Sequence, residues 1–270
     1  MIFQALCATL NSVTSLRTAS IFAVLLGLAL TCAAPLHAES SRADALDLKD
    51  GVSVPLRIFP AHGKTLLLWL ACDEGHGVWE PKAAQSLAAE GIEVWLPDLL
   101  SAHFVPAAPS AIKQLPAADV AALVERARAV TGKSVVLVAA GPAAVPALRG
   151  ALEWQRLHPG NPALAGAILL YPELYAVTPA PGVEAAYYPE VARTALPLFI
   201  YHSQRSPGRW WLEHLKVEFR KGGSRVDSLV LPGVRGYFYG REDATPEEDA
   251  MAAHLPELLG DAVKNLQEKK

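Results

Sequence analysis

Short apolar runs alternate along this chain with segments in which apolar residues recur every three or four positions. Continuous apolar runs are typical of strands buried on both faces of a sheet, and the wider spacing is typical of amphipathic helices. This alternation predicts an α/β fold, with a mostly parallel sheet and helices on both faces. The strands are predicted at 66–71, 92–96, 133–139, 165–171, 196–201 and 226–231, and the helices at 81–90, 120–130, 142–158, 207–222 and 246–266.

An antiparallel hairpin is predicted before the first of these strands. Residues 45–48 and 52–59 flank Lys49, Asp50 and Gly51, which form a turn signal. With this hairpin the sheet has eight strands. The Pro-rich stretch 172–195 has room for about one helix, and the Pro- and Ala-rich stretch 105–116 is predicted to be a loop. Residues 39–270 are therefore predicted to form one domain.

The N-terminus is typical of a secretory signal. Arg17 is the only charged residue before Glu39, and residues 21–30 form an apolar run that leads into small residues. This pattern predicts a signal peptide over residues 1–38, cleavage after Ala38, and a periplasmic or secreted protein. The alternatives are lipidation at Cys32 and an uncleaved anchor. Because the apolar run is shorter than the roughly 20 residues that span a bilayer, we expect no membrane span after cleavage.

Composition narrows the classes of function. The formal net charge of the full chain is −3, so there is no basic excess that would attract nucleic acid. Two of the three cysteines, Cys7 and Cys32, lie in the predicted signal peptide. Cys72 therefore has no partner for an intrachain disulfide, and we predict that it is buried. The sequence predicts no bound cofactor.

Three segments carry a resemblance to a known family. They are VLVAAGPAA at 136–144, the strand that precedes His202, and LPGVRGYF at 231–238. Their order resembles the α/β-hydrolase superfamily, in its compact dienelactone-hydrolase or serine-esterase form. The resemblance implies a nucleophile on a sharp strand-to-helix turn, an oxyanion hole beside it, and a Ser-His-Asp triad.

The positions that match the triad lack the residues that the family uses there. Gly141 stands at the tip of the turn in place of the serine, and Pro142 has no N–H to donate to an oxyanion. No carboxylate occurs at 202–206, and Arg235 or Gly236 stands where the histidine is expected. An arginine cannot act as a general base near neutral pH. Tyr237 is predicted to belong to the core.

Other residues at the same sheet edge are candidates for displaced chemistry. Cys72 with His76 or His202 would form a Cys–His pair, and Ser203 is a further candidate nucleophile. The alternative is that Cys72 is a small buried residue at the end of a strand. A metal site is also conceivable. The histidines have no local ligand spacing, however, so none is predicted; the residues considered were His76, His103, His202, Asp73, Glu74 and Asp98.

The leading functional interpretation is an exported, non-catalytic pseudo-hydrolase. Its expected ligand is a small anionic molecule, and its alternative partner is a protein of the cell envelope. Arg235 is expected to hold the anion with help from Arg205 or Arg209, although arginines of this kind also occur on ordinary solvated faces. The alternatives are an atypical esterase with a displaced nucleophile and a structural partner in the cell envelope. The predicted ligand residues are Asp73, Glu74, His76, Gly141, His202, Arg205 and Arg235.

Overall fold

The computed structural model describes residues 41–180 and 182–268. The signal-peptide and Cys32 predictions lie outside the described residues. The fold is an eight-stranded sheet in the order β1-β2-β4-β3-β5-β6-β7-β8, which confirms the predicted architecture. The strands are β1 (Arg42–Asp47), β2 (Ser53–Phe59), β3 (Thr65–Trp69), β4 (Glu93–Pro97), β5 (Ser134–Ala140), β6 (Leu164–Leu170), β7 (Leu198–Ser203) and β8 (Val226–Leu231).

Strand pairing follows the hydrophobic pattern. β1 and β2 form the predicted hairpin, and β2 also runs antiparallel to β4. All other neighbours are parallel. β3, β4, β5 and β6 are covered on both faces, which explains why they are continuous apolar runs.

The helices lie on both faces of the sheet and divide the core into two apolar layers. One layer contains Trp154 and Leu123, and the other contains Trp69 and Leu259. The helices are α1 (Trp79–Ala89), α2 (Leu99–Ala102), α3 (Pro109–Ile112), α4 (Ala117–Thr131), α5 (Ala144–Leu157), α6 (Leu212–Lys221), α7 (Pro246–Ala253) and α8 (Leu255–Glu268).

Several sequence predictions are wrong in detail. The single C-terminal helix is divided into α7 and α8 next to Pro256, because a proline lacks the N–H that would continue the hydrogen-bond ladder. Stretch 172–195 contains, among its described residues, a 3₁₀ turn at Val191–Arg193 and an isolated bridge rather than an α-helix. Loop 105–116 contains the short helix α3.

None of the helices in the described part of the chain combines the length and the apolar character needed to cross a bilayer. The carboxyl ends of β3, β5, β6 and β7 lie along one edge of the sheet, since these strands are parallel neighbours. Ligands of open α/β sheets bind outside that edge, so the site is sought there.

Candidate functional site

The turn after β5 keeps the backbone geometry of a nucleophile elbow without its side chain. Gly141 has a φ of +51°, in the left-handed region that favours glycine. A 3₁₀ turn over Gly141–Ala143 leads directly into α5. The Gly141 carbonyl oxygen accepts a 2.9 Å hydrogen bond from the backbone N–H of Glu173, which follows β6. The sharp strand-to-helix turn is therefore present, and its tip has no reactive group.

Tyr237 fills the space beside Gly141. A Cβ atom added to Gly141 would lie 2.7 Å from the Tyr237 hydroxyl oxygen and 3.0 Å from its Cζ atom. Tyr237 itself has a φ of +59°, and its hydroxyl donates a 2.8 Å hydrogen bond to Oε1 of Glu173. The tyrosine of the loop after β8 therefore occupies the space beside the turn.

The Tyr237 hydroxyl is held in its neutral form. Burial raises the pKa of Tyr237 strongly, and the negative charges of Glu173 and Asp73 raise it further. A phenolate between two carboxylates is electrostatically unfavourable. Tyr237 therefore stands beside Gly141 as a neutral phenol.

Cys72 and His76 do not form a nucleophile–base pair. Cys72 is 6% exposed, and its thiol lies 3.6 Å from the carbonyl oxygen of Gly75. Burial raises the pKa of the Cys72 thiol to about 12, which suppresses the reactive thiolate. The Nε2 atom of His76 instead lies 3.1 Å from the carbonyl oxygen of Pro97. Burial lowers the pKa of His76 to about 4.

His202 and Ser203 belong to β7 rather than following it. The Nδ1 atom of His202 lies 3.4 Å from the carbonyl oxygen of Ser203, and burial lowers the pKa of His202. The Ser203 side chain is fully buried, and its Oγ atom has no hydrogen-bond partner among the described residues. Burial of this hydroxyl inside the sheet separates it from the site.

The Arg235 guanidinium group is held by two acidic residues, Glu248 on α7 and Asp243 in the preceding loop. Its Nε and Nη2 atoms donate to the two carboxylate oxygens of Glu248 at 2.7 and 2.6 Å, and its Nη1 atom donates to Asp243 at 3.0 Å. Glu248 is fully buried, and the hydrogen bonds from Arg235 lower its pKa to about 2. This buried carboxylate therefore holds the guanidinium group that the sequence predicted to bind an anionic ligand.

A cavity of about 440 Å³ opens next to this turn, and we call it the elbow cavity. Arg205, Arg209 and Arg235 do not line it. Arg209 instead stacks on Trp210, with its guanidinium carbon 4.2 Å from the ring centre. The residues with polar side chains that line the elbow cavity are Lys113, Tyr171, Glu173, Tyr175, Thr178, Tyr188, His202, Ser206 and Tyr237.

Sequence reasoning missed Lys113, Glu173 and Tyr175 as site residues. Glu173 lies just beyond the carboxyl end of β6, so the rule that selected His202 would also have found it. Lys113 follows α3 in a stretch that gave no sign of its position. Gly208 lets the turn after β7 approach His202, because a Cβ atom there would lie 3.0 Å from Nε2.

The histidines considered for a metal site have separate environments. His76 contacts Pro97, whereas the Nε2 atom of His103 lies 2.5 Å from Oδ2 of Asp119. Within residues 41–180 and 182–268, no group of three or more His, Cys, Asp or Glu side chains is placed to hold a metal ion.

The overall architecture is similar to that of solved esterases. The iron-lacking apo form of ESTFA is 14% identical, with 93% of this chain and 94% of that chain covered and a TM-score of 0.61. Apo esterase 2 of Thermogutta terrifontis is 15% identical, with 84% and 97% covered and a TM-score of 0.57. A provisionally assigned dienelactone hydrolase from Klebsiella pneumoniae is 15% identical, with 82% and 98% covered and a TM-score of 0.57.

No family model and no curated protein matches the sequence. At such low identities the structural likeness establishes the fold and leaves the chemistry to the site. The strand order, the sharp turn at Gly141 and these neighbours agree with one another. The chain therefore has the α/β-hydrolase fold, in the compact form found in esterases and dienelactone hydrolases.

Proposed function

We propose that the protein is a pseudo-hydrolase that binds a small molecule in the elbow cavity and does not cleave it. The observation that carries the proposal is the contact between Gly141 and Tyr237. The tip of the turn has no side chain, and the phenol fills the space into which a serine side chain would extend. An attacking oxygen therefore has neither a source nor room at this position.

The remaining groups at the edge support the same proposal. Pro142 cannot donate the N–H that completes an oxyanion hole, and the loss of one such donor costs about 10²–10³ in rate in a serine protease. Cys72 and Ser203 are buried. Burial lowers the pKa of both His76 and His202, so both are poor bases. Neither forms a hydrogen bond with a side-chain nucleophile among the described residues.

The lining of the elbow cavity suggests the class of ligand. Its volume falls within the range of about 300–1,000 Å³ that is usual for small-molecule sites. Four tyrosines contribute to the lining, together with the ammonium group of Lys113 and the carboxylate of Glu173. We propose a neutral, hydrogen-bonding ligand, since the arginines expected to bind an anion are absent from the lining. The proposal includes export, because residues 21–38 are typical of a secretory signal.

Phenyl acetate is a suitable probe, because its binding and its hydrolysis to phenol can be measured separately. We expect saturation-transfer NMR to show saturable binding in the millimolar range, with no release of phenol above the uncatalysed rate. Turnover or the absence of binding would each contradict the proposal. Thermogutta terrifontis esterase 2, which is phosphorylated by paraoxon, is the positive control for active-site labelling. We expect paraoxon to leave the present protein unlabelled.

Two matched variants locate the binding. Ala176 lines the elbow cavity and is exposed, so Ala176→Trp should fill the cavity and abolish phenyl acetate binding. Ala107 is an exposed alanine in a loop and does not line the cavity. Ala107→Trp adds the same bulk there and should leave binding unchanged. Equal effects of the two variants would place the bound ester elsewhere.

A further inference from the structure

A second cleft of about 540 Å³ lies beside the elbow cavity and shares Tyr237 with it. We call it the acidic cleft, because four of its residues carry carboxylates. It is lined by Asp73, Glu74, Pro109, Tyr237, Gly240, Arg241, Glu242 and Asp243. None of the chemistry proposed for the elbow cavity uses these carboxylates.

Asp73 has an unmet capacity for a hydrogen bond. Its side chain is 7% exposed, and its buried Oδ1 atom has no hydrogen-bond partner among the described residues. Burial raises the pKa of Asp73, while its own backbone N–H and the charge of Lys113 lower it. Since the single hydroxyl proton of Tyr237 is donated to Glu173, it cannot also satisfy Asp73. A buried carboxylate oxygen without a hydrogen bond is energetically costly, so a ligand that donates a hydrogen bond to Asp73 in this cleft would be stabilised.

The carboxylates that line the acidic cleft outnumber the basic groups that neutralise them. Glu74 and Glu242 are exposed and form no ion pair among the described residues. The Arg241 guanidinium group is held by Asp243, with Nε 2.8 Å from Oδ1. Asp243 also accepts a hydrogen bond from Arg235, whose charge is shared with the buried Glu248. Lys113 lies near Asp73 but lines the elbow cavity rather than the acidic cleft. The cleft therefore has an excess of negative charge.

The residues that line the cleft suit an organic cation better than a metal ion. Its carboxylates do not form a cluster of three placed to ligate a metal within the described residues. Tyr237 and Pro109 add non-ionic surface to the lining. We propose that the acidic cleft binds the protonated amine of a small organic molecule, with Asp73 as its anionic partner. This proposal does not depend on the ligand of the elbow cavity.

Three probes of the same size test the charge preference without any mutation. Benzylamine, benzyl alcohol and benzoate have a similar ring and differ in charge at neutral pH. We expect benzylamine to bind with a millimolar Kd, measured from the NMR shifts of the Asp73 and Glu74 amides so that binding in the elbow cavity is not counted, and to bind there at least about tenfold more tightly than benzyl alcohol. Benzoate should show no saturable binding. Equal binding of the amine and the alcohol, or no binding of the amine, would overturn the proposal.

Substitutions then locate the site. Asp73→Asn removes the charge with almost no change in shape and should weaken benzylamine binding by at least about tenfold. Glu257→Gln removes an exposed carboxylate on α8 and should leave the Kd unchanged. Ala176→Trp, which fills the elbow cavity, should also leave it unchanged, so failure of one proposal is distinguishable from failure of the other. Full-strength binding to a folded Asp73→Asn variant would refute the assignment.

Discussion

The hydroxyl oxygen of Tyr237 lies 2.7 Å from the point at which a side chain on Gly141 would begin. The two residues are far apart in sequence, and each has a left-handed backbone conformation. Glu173 joins them, because its backbone N–H is bonded to the Gly141 carbonyl and its carboxylate accepts the Tyr237 hydroxyl. The vacant turn and the loop after β8 therefore form one packed unit.

Substitution of Gly141 by serine should not restore a nucleophile. The new Cβ atom would be too close to the Tyr237 hydroxyl, and overpacking of this kind costs about 1–3 kcal/mol. We expect Gly141→Ser to lower the free energy of unfolding in urea by about that amount more than Gly51→Ser does. Gly51 is the matched control, since it also has a positive φ but no atom lies within 4 Å of its added Cβ.

A double-mutant cycle isolates the contact. In the background Tyr237→Ala the clash is absent, so Gly141→Ser should cost only the backbone term that Gly51→Ser measures. If the cost of Gly141→Ser is the same with and without Tyr237, the steric account of this turn is incorrect.

The ion pair of Arg235 and Glu248 should make stability sensitive to acid. The pKa of Glu248 is lowered to about 2 from an ordinary value of 4.5. The stabilisation is therefore complete above about pH 4.5 and is lost as the pH falls through about 2. We expect Glu248→Gln to destabilise the protein near neutral pH, with a difference from the wild type that shrinks toward pH 2 in urea unfolding. Glu257→Gln is the exposed control and should show no such trend.

Cys72 should be inert in the folded protein. Its thiol pKa of about 12, against an ordinary value of 9.0, reduces the thiolate fraction near pH 8 by about a thousandfold. Mass spectrometry of the peptide that contains Cys72 should show little iodoacetamide alkylation of the native protein and rapid alkylation in guanidinium chloride. Similar rates in the two conditions would mean that the thiol is accessible and ionised, and would revive it as a nucleophile.

His76 should remain neutral through mildly acidic pH. Burial lowers its pKa from 6.5 to about 4, so between these values the unfolded chain binds a proton that the folded chain does not. The contribution of His76 to stability therefore falls as the pH drops from about 6.5 to about 4. The Hε1 resonance of His76 should titrate with a midpoint near pH 4 in the native protein and near pH 6.5 in urea. A native midpoint near 6.5 would show that the ring is solvated.

The sheet can be predicted from the sequence because each strand is marked by a short run of its own residues. Apolar runs such as residues 66–71 and 165–171 mark buried strands, and Gly132, with a φ of +67°, ends α4 where the pattern predicts. The absent serine at Gly141 and the absent N–H at Pro142 could also be recognised from sequence alone. These features depend on the residues themselves and on their immediate neighbours.

The contents of the site depend on contacts between distant segments, which no local pattern records. The sequence predicts Tyr237 as a core residue, and the structure packs it half-buried against the core. Its approach to Gly141 requires a left-handed residue in a loop. The capture of Arg235 by Glu248 joins residues 13 positions apart across a loop. The sequence shows that position 235 carries a positive charge, but it does not show which residue the Arg235 side chain contacts.

The capping box that begins α7 has a consequence beyond that helix. Glu248 accepts the backbone N–H of Thr245 and, through its other oxygen, that of Arg235. A histidine at position 235 would leave this buried carboxylate without its guanidinium partner, just as a serine at position 141 would collide with Tyr237. Positions 141 and 235 are thus each part of a packed unit that tolerates the present residue. We expect a serine at 141 or a histidine at 235 to require compensating substitutions, because either change alone removes stability.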